Sequence, residues 1–154
     1  MNELQPLLLL LAHNERLRDT ALASHLRAAA ASHAATAQAE QLHTYRSEYE
    51  QRWRSQFAQS GQSEVVRCYQ SFMERLTHAV EHQARVQMHA SQQVEHAHGA
   101  LCEAELRCAA VRKLIERRTL EQRLATDRRE QKQSDEFAAR AAWNKRAGGQ
   151  LRLL

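Results

Sequence analysis

The sequence carries one proline and four glycines in 154 residues, so little in it interrupts a helix. Aromatic residues make up 5%, too few bulky groups for a globular core, and an elongated all-helical chain is expected instead. The three cysteines, Cys68, Cys102 and Cys108, are odd in number and lack Cys-x-x-Cys spacing. That argues against a disulfide framework, suits a reducing compartment and leaves the thiols as small packing groups. Long apolar runs are missing too. The stretch Leu7 to Ala12 has no basic start and no small-residue cleavage site, and it is far shorter than the roughly 20 residues that cross a bilayer. Neither a leader nor a membrane span is expected, and the expected location is cytoplasmic. A Gly-rich phosphate loop, a nucleophile elbow and paired carboxylates are also lacking, and two helices enclose no concave pocket. No enzymatic activity, catalytic residue or cofactor is therefore expected.

What the chain does contain is two long stretches of helix formers divided by one break, Ala58-Gln-Ser-Gly-Gln-Ser-Glu64. Leu42, Tyr45 and Tyr49 approach the break at helical spacing and Phe72, Leu76 and Ala79 leave it likewise, so that mirrored pairs such as 49 and 72 sum to 121. This pattern predicts an all-α antiparallel coiled-coil hairpin as a single stalk domain. Helix one should cover about residues 6–57, the turn 58–64, helix two about 64–146, and a frayed tail 147–154. Pro6 suits a first helical turn, and Gly61 is suited to positive φ in the turn. Ser63 resembles an N-cap ahead of Glu64, and Gly148-Gly149 is expected to end helix two.

For helix one the expected seam is Leu8, Leu11, Leu22, Leu26, Ala29, Leu42, Tyr45, Tyr49, Trp53 and Phe57, thin around Ala28 to Ala37. Helix two carries a heptad series, with Met73, Val80, Gln87, Val94, Leu101, Cys108 and Ile115 at one position. Leu76, Gln83, Ala90, Ala97, Ala104, Val111 and Arg118 fill the other. The mirror rule sets Met1 opposite residue 120, so the helix beyond Leu120 is expected to have no internal partner.

Charge is unevenly spread. Residues 112–154 hold twelve basic and six acidic side chains, against a net of −2 over the first 111 residues. A basic excess can face nucleic acid, membrane or an acidic protein. Only Phe137 and Trp143 could stack on bases and the basic residues are spread around the helix, which speaks against nucleic acid and membrane and leaves an acidic protein surface or a solvated helix with i,i+4 pairs such as Glu136 with Arg140. Nine histidines call for a metal check: His78 and His82 lie one turn apart, with His43 mirrored onto His78 and His25 onto His96. No carboxylate or thiolate completes either set, and no metal site is expected. Near the turn, Tyr45, Tyr49, Trp53, Phe57, Tyr69 and Phe72 are too many and too large to be buried together between two strands. Some should be exposed, as aromatic binding faces are.

These residues carry a resemblance. Gln38-x-x-x-Leu42-x-x-Tyr45-x-x-x-Tyr49, then Tyr69-Gln70-x-Phe72-x-x-x-Leu76-x-x-Ala79, and the tail Gln131-Lys132-x-x-Asp135-Glu136-Phe137-Ala138-x-Arg140-Ala141-Ala142 resemble the bacterial flagellar export protein FliJ family. The resemblance implies a non-enzymatic stalk of the type III export apparatus, peripherally associated with its inner-membrane part. Its implied partners are the hexameric export ATPase, the cytoplasmic domain of the transmembrane export gate, and export chaperones. Small-molecule substrates and nucleic acid are not implied, and the free chain is expected to be monomeric. Carried over residue by residue, the gate-binding face would be Gln38, Leu42, Tyr45, Tyr49, Phe72, Leu76 and Ala79. At the next position, where the family often has histidine, this chain has Gln83 with His82 beside it. The unpartnered end is expected to enter the ATPase ring, with Arg128, Gln131, Lys132, Asp135, Glu136, Phe137 and Arg140 in contact. Two other readings stand beside it, the stalk of a virulence injectisome, which shares this architecture, and a generic coiled-coil adaptor or scaffold, in which the hairpin would open and pair between chains.

Overall fold

The computed structural model describes residues 3–57 and 63–151. It contains two helices, α1 (Gln5–Phe57) and α2 (Ser63–Leu151), and no strand among the described residues. Pro6 sits in the first turn of α1, where its missing N–H would have had no intrahelical acceptor. At the start of α2, Glu64 places negative charge in the first turn, where the helix dipole favours it. Gly61, with its expected positive φ, lies outside the described residues. Contrary to expectation, Gly148-Gly149 does not end α2, which continues to Leu151. Neither glycine adopts positive φ. Within an established helix each costs only about 1 kcal/mol relative to alanine, too little to stop propagation by itself.

The chain divides into two compact units, one formed by the residues up to His13 with those from Arg107 onward, the other by Asn14–Leu106. In the Asn14–Leu106 unit the helices run antiparallel, and the pairs joined across the seam by side-chain hydrogen bonds and ring contacts have numbers adding to between 117 and 123. The mirror rule of 121 is thus the observed register. Inward-facing positions of α2 follow the expected heptads: Val66, Met73, Val80, Gln87, Val94 and Leu101 alternate with Tyr69, Leu76, Gln83, Ala90, Ala97 and Ala104, all buried or half-buried.

On α1 the seam differs from the expected one. Its two series are Ala21, Ala28, Ala35, Leu42, Tyr49 and Arg18, His25, Ser32, Ala39, Arg46, Trp53, again all buried or half-buried. Leu22 and Leu26 each stand one residue past an inner position and are 41% and 60% exposed, and Tyr45 is 50% exposed. Leu8, in the other unit, is exposed as well. Leu11, Ala29, Leu42, Tyr49 and Trp53 do turn inward, while the side chain of Phe57 lies outside the described residues. The physical reason is that α1 meets α2 through alanine, whose small side chain leaves no mark in a pattern read from large apolar groups. A direct check follows. Leu101→Ala, at a position 8% exposed, should cost about 2 kcal/mol or more in urea unfolding. Leu26→Ala should change stability by less than about 0.5 kcal/mol.

In the other unit, Leu4 just ahead of α1 and Leu7 and Leu11 within it are half-buried, as are Leu114 and Ile115 of α2, while Val111 is buried and Cys108 is 0% exposed. The inner series stops at Ile115. Arg118, expected to continue it, is exposed, as is every described residue from Glu116 to Gln150. No described helix is long and apolar enough to cross a membrane.

Candidate functional site

Within the Asn14–Leu106 unit, the seven residues of the expected gate-binding face occupy two levels. Gln38 and Tyr45 are seven residues apart on α1, as Phe72 and Ala79 are on α2, so each pair forms a row along one edge of the seam. The rings of Tyr45 and Phe72 meet edge-on at 6.5 Å, which puts both rows on the same side of the hairpin. Gln38, Tyr45 and Ala79 are exposed and Phe72 is half-buried. Leu42, Tyr49 and Leu76 belong to the inner series beneath them, Leu76 being 7% exposed. The result is a shelf, with exposed edges over a floor that is also the seam. Leu76 serves the shelf from below, holding the helices together rather than presenting its surface.

Aromatic contact extends the shelf toward the turn. Tyr49 lies 4.5 Å from Phe72 and 6.1 Å from Tyr45 between ring centroids. Tyr69 stacks on Tyr49 at 6.0 Å and 8°, and on Trp53 at 3.9 Å and 1°. Five rings thereby form one continuous cluster across the two helices. Such pairs add about 0.5–1.5 kcal/mol each beyond their buried area, so the bulky end of the hairpin is held by ring contacts that alanine cannot make. Trp53 and Tyr69 were outside the expected seven. Their signal was present, since Trp53 follows Tyr49 by four residues and Tyr69 precedes Phe72 by three.

Burial in this cluster raises the Tyr69 phenol above its ordinary value of 10.0, and the negative charge of Glu50 adds to the shift while Arg54 opposes it. The folded state therefore holds this proton more tightly than the unfolded chain does. Its stabilising contribution is complete below the ordinary phenol range and is lost as pH rises through the folded value. Tyr69→Phe should remove a late-ionising component from an ultraviolet alkaline titration and lessen the loss of stability above about pH 10.

The histidines expected to mirror one another are arranged differently. His78 and His43 are exposed, and His78 lies 3.8 Å from Glu81. His25 meets His98, at 5.6 Å between rings, instead of His96. His98 also contacts the Cys102 sulfur at 3.6 Å. Among the described residues, no group of three or more His, Cys, Asp or Glu is arranged to hold a metal ion.

The second candidate site lies on the exposed part of α2. Arg128, Gln131, Lys132, Asp135 and Glu136 line one shallow groove on a single face, and Gln131 donates to Asp135 Oδ1 at 3.3 Å. Phe137 is 76% exposed on nearly the opposite face, about 170° round at 100° per residue, and Arg140 is turned partly away. The seven expected contacts therefore surround the helix. Continued past Ile115, the inner heptad positions read Arg118, Gln122, Ala125, Arg129, Lys132, Glu136 and Ala139. That row is polar, unlike the seam before it, and suits a hydrated or charged surface better than an apolar helix partner.

Residues 3–147 match a family model described as flagellar FliJ protein. No curated protein and no solved structure matches the chain.

Proposed function

Because the chain belongs to the flagellar FliJ family and is thus a component of flagellar type III export, we propose that it acts as the stalk that joins the export ATPase to the export gate. The observation that carries this reading is the family match over nearly the whole chain, within which both the shelf and the exposed segment of α2 lie. The shelf of Gln38, Leu42, Tyr45, Tyr49, Phe72, Leu76 and Ala79 docks the cytoplasmic domain of the gate. The exposed helix beyond Glu116 enters the ATPase ring and contacts it through Arg128, Gln131, Lys132, Asp135, Glu136, Phe137 and Arg140. Export chaperones are further partners, and the free chain is a monomer at the periphery of the inner-membrane apparatus.

No chemistry is required of the chain itself in this role. A helix that binds the closed ring more tightly than separate subunits shifts the assembly equilibrium by that difference in affinity and by nothing else. The excess of six positive charges over residues 112–154 favours an acidic ring lining and predicts binding that weakens with salt. The test is a side-by-side pull-down with the purified ATPase and the gate domain. Capture of both supports the stalk, whereas capture of neither overturns it.

A further inference from the structure

We propose that Gln83 is a positioning residue for the shelf: it orients the Gln38 amide so that the shelf ends in a hydrogen-bond donor and accepts a partner bearing an acceptor there. This inference rests on the docking role given to the shelf above. Gln83 occupies an inner heptad position of α2, between the buried Val80 and the half-buried Gln87, where an apolar side chain would be the stabilising choice. Its Nε2 instead donates to the Ala35 carbonyl oxygen at 3.1 Å and to Gln38 Oε1 at 3.2 Å. A primary amide nitrogen has two hydrogens, and these bonds use both.

The consequence falls on Gln38. With its oxygen held by Gln83, the end of the Gln38 amide left to a partner is the NH₂ group, on a residue that is exposed. Room for this comes from Ala35 and Ala39, buried alanines on either side of Gln38 whose small side chains let the amide pass between the helices. One turn further, Gln87 Nε2 donates to Thr36 Oγ1 at 3.2 Å, and Thr36 Oγ1 donates to the Ser32 carbonyl at 3.0 Å. The stretch of α1 that carries Gln38 is thereby tied to α2 by side-chain amides on successive turns. A free Gln38 would present oxygen or nitrogen equally; held this way it presents nitrogen. The complementary group is an acceptor, either a carboxylate or a backbone carbonyl of the docked segment.

The experiment compares wild type, Gln83→Leu, Gln38→Ala and the double variant, with calorimetric binding to the purified gate domain and a thermal midpoint for each. Leucine at an inner position should leave the midpoint unchanged or raise it, while binding weakens about tenfold. The double variant should bind no more weakly than Gln38→Ala alone, since Gln83 acts only through Gln38. Gln83→Met, similar in length and without a donor, repeats the test if leucine disturbs the fold. In the free chain, nuclear magnetic resonance should show slowed exchange of the Gln83 side-chain amide, and this needs no partner. Wild-type affinity for Gln83→Leu, or additive losses in the double variant, would overturn the positioning role. The Tyr45→Ala variant separates the two ideas: if it weakens gate binding while Gln83→Leu does not, the shelf stands and the role of Gln83 falls. If Tyr45→Ala binds as wild type does, the shelf itself is wrong.

Discussion

Alanine at Tyr45, Tyr49 and Phe72 together is expected to weaken binding to the gate domain by a factor of about 1,000, while far-UV circular dichroism stays helical. Truncating a well-packed aromatic anchor commonly costs about 2 kcal/mol or more, and three neighbouring anchors do not add fully, which gives roughly 4 kcal/mol. Two effects compete in this variant. Tyr49 and Phe72 also hold the hairpin together, with rings 4.5 Å apart, so their loss must lower stability as well as affinity. Tyr45 separates the two, because it is half exposed and sits on the outer row. Tyr45→Ala alone, which gives up ring contacts to Tyr49 and Phe72, should cost about 1–2 kcal/mol in unfolding and weaken binding by about 30-fold. Gate affinity unchanged in the triple variant, with the chain still folded, would count decisively against the shelf.

The second large effect concerns the other end of α2. Deleting residues from Asp127 onward should abolish stimulation of the ATPase and leave the thermal midpoint of the rest where it was. Both halves of that expectation follow from exposure. Every described residue from Glu116 to Gln150 is exposed, so among the described residues the deletion removes no packed group and opens no cavity. It does remove Phe137 and Trp143, 76% and 73% exposed, which are large apolar groups that gain by burial in a partner. A charge-neutralising control, Arg128→Gln with Lys132→Gln, should keep part of the stimulation and flatten its dependence on salt. Full stimulation by the truncated chain would sink the assignment of this segment to the ring.

How much of this could be read from residues alone depended on side-chain size. The inner series of α2 was visible because Val80, Val94, Leu101, Val111 and Ile115 recur at heptad spacing among polar neighbours. The register was visible because the aromatics flank the break symmetrically. The inner series of α1 was hidden, since Ala21, Ala28 and Ala35 look no different from the alanines around them, and the eye goes to Leu22 and Leu26. Following Tyr49 and Leu42 back in strict sevens would have found it. The shelf was harder still: its outer rows lie beside the seam at spacings that also fit burial, and only exposure in the folded chain shows Tyr45 outside and Tyr49 beneath. Gln83 and Gln87 could be recognised as polar interruptions of the heptad, but their acceptors, Ala35 O and Thr36 Oγ1, depend on the facing helix. Partners came from the family resemblance, as periodicity carries no information about them.

The alanine-lined stretch of α1 has one more consequence. Alanine has the highest intrinsic helix propensity, so Ala28 to Ala39 needs little help from α2 to stay coiled. It also buries little area, so parting the two helices there forfeits little apolar burial. Pairing and coiling are therefore uncoupled in this stretch: for the strands to part, the amide ties of Gln83 and Gln87 must break, but neither helix need unwind. Amide protons of Ala28 to Ala39 would then stay protected by their own helix during such opening, while a bulky reagent aimed at the inner face would find it intermittently accessible.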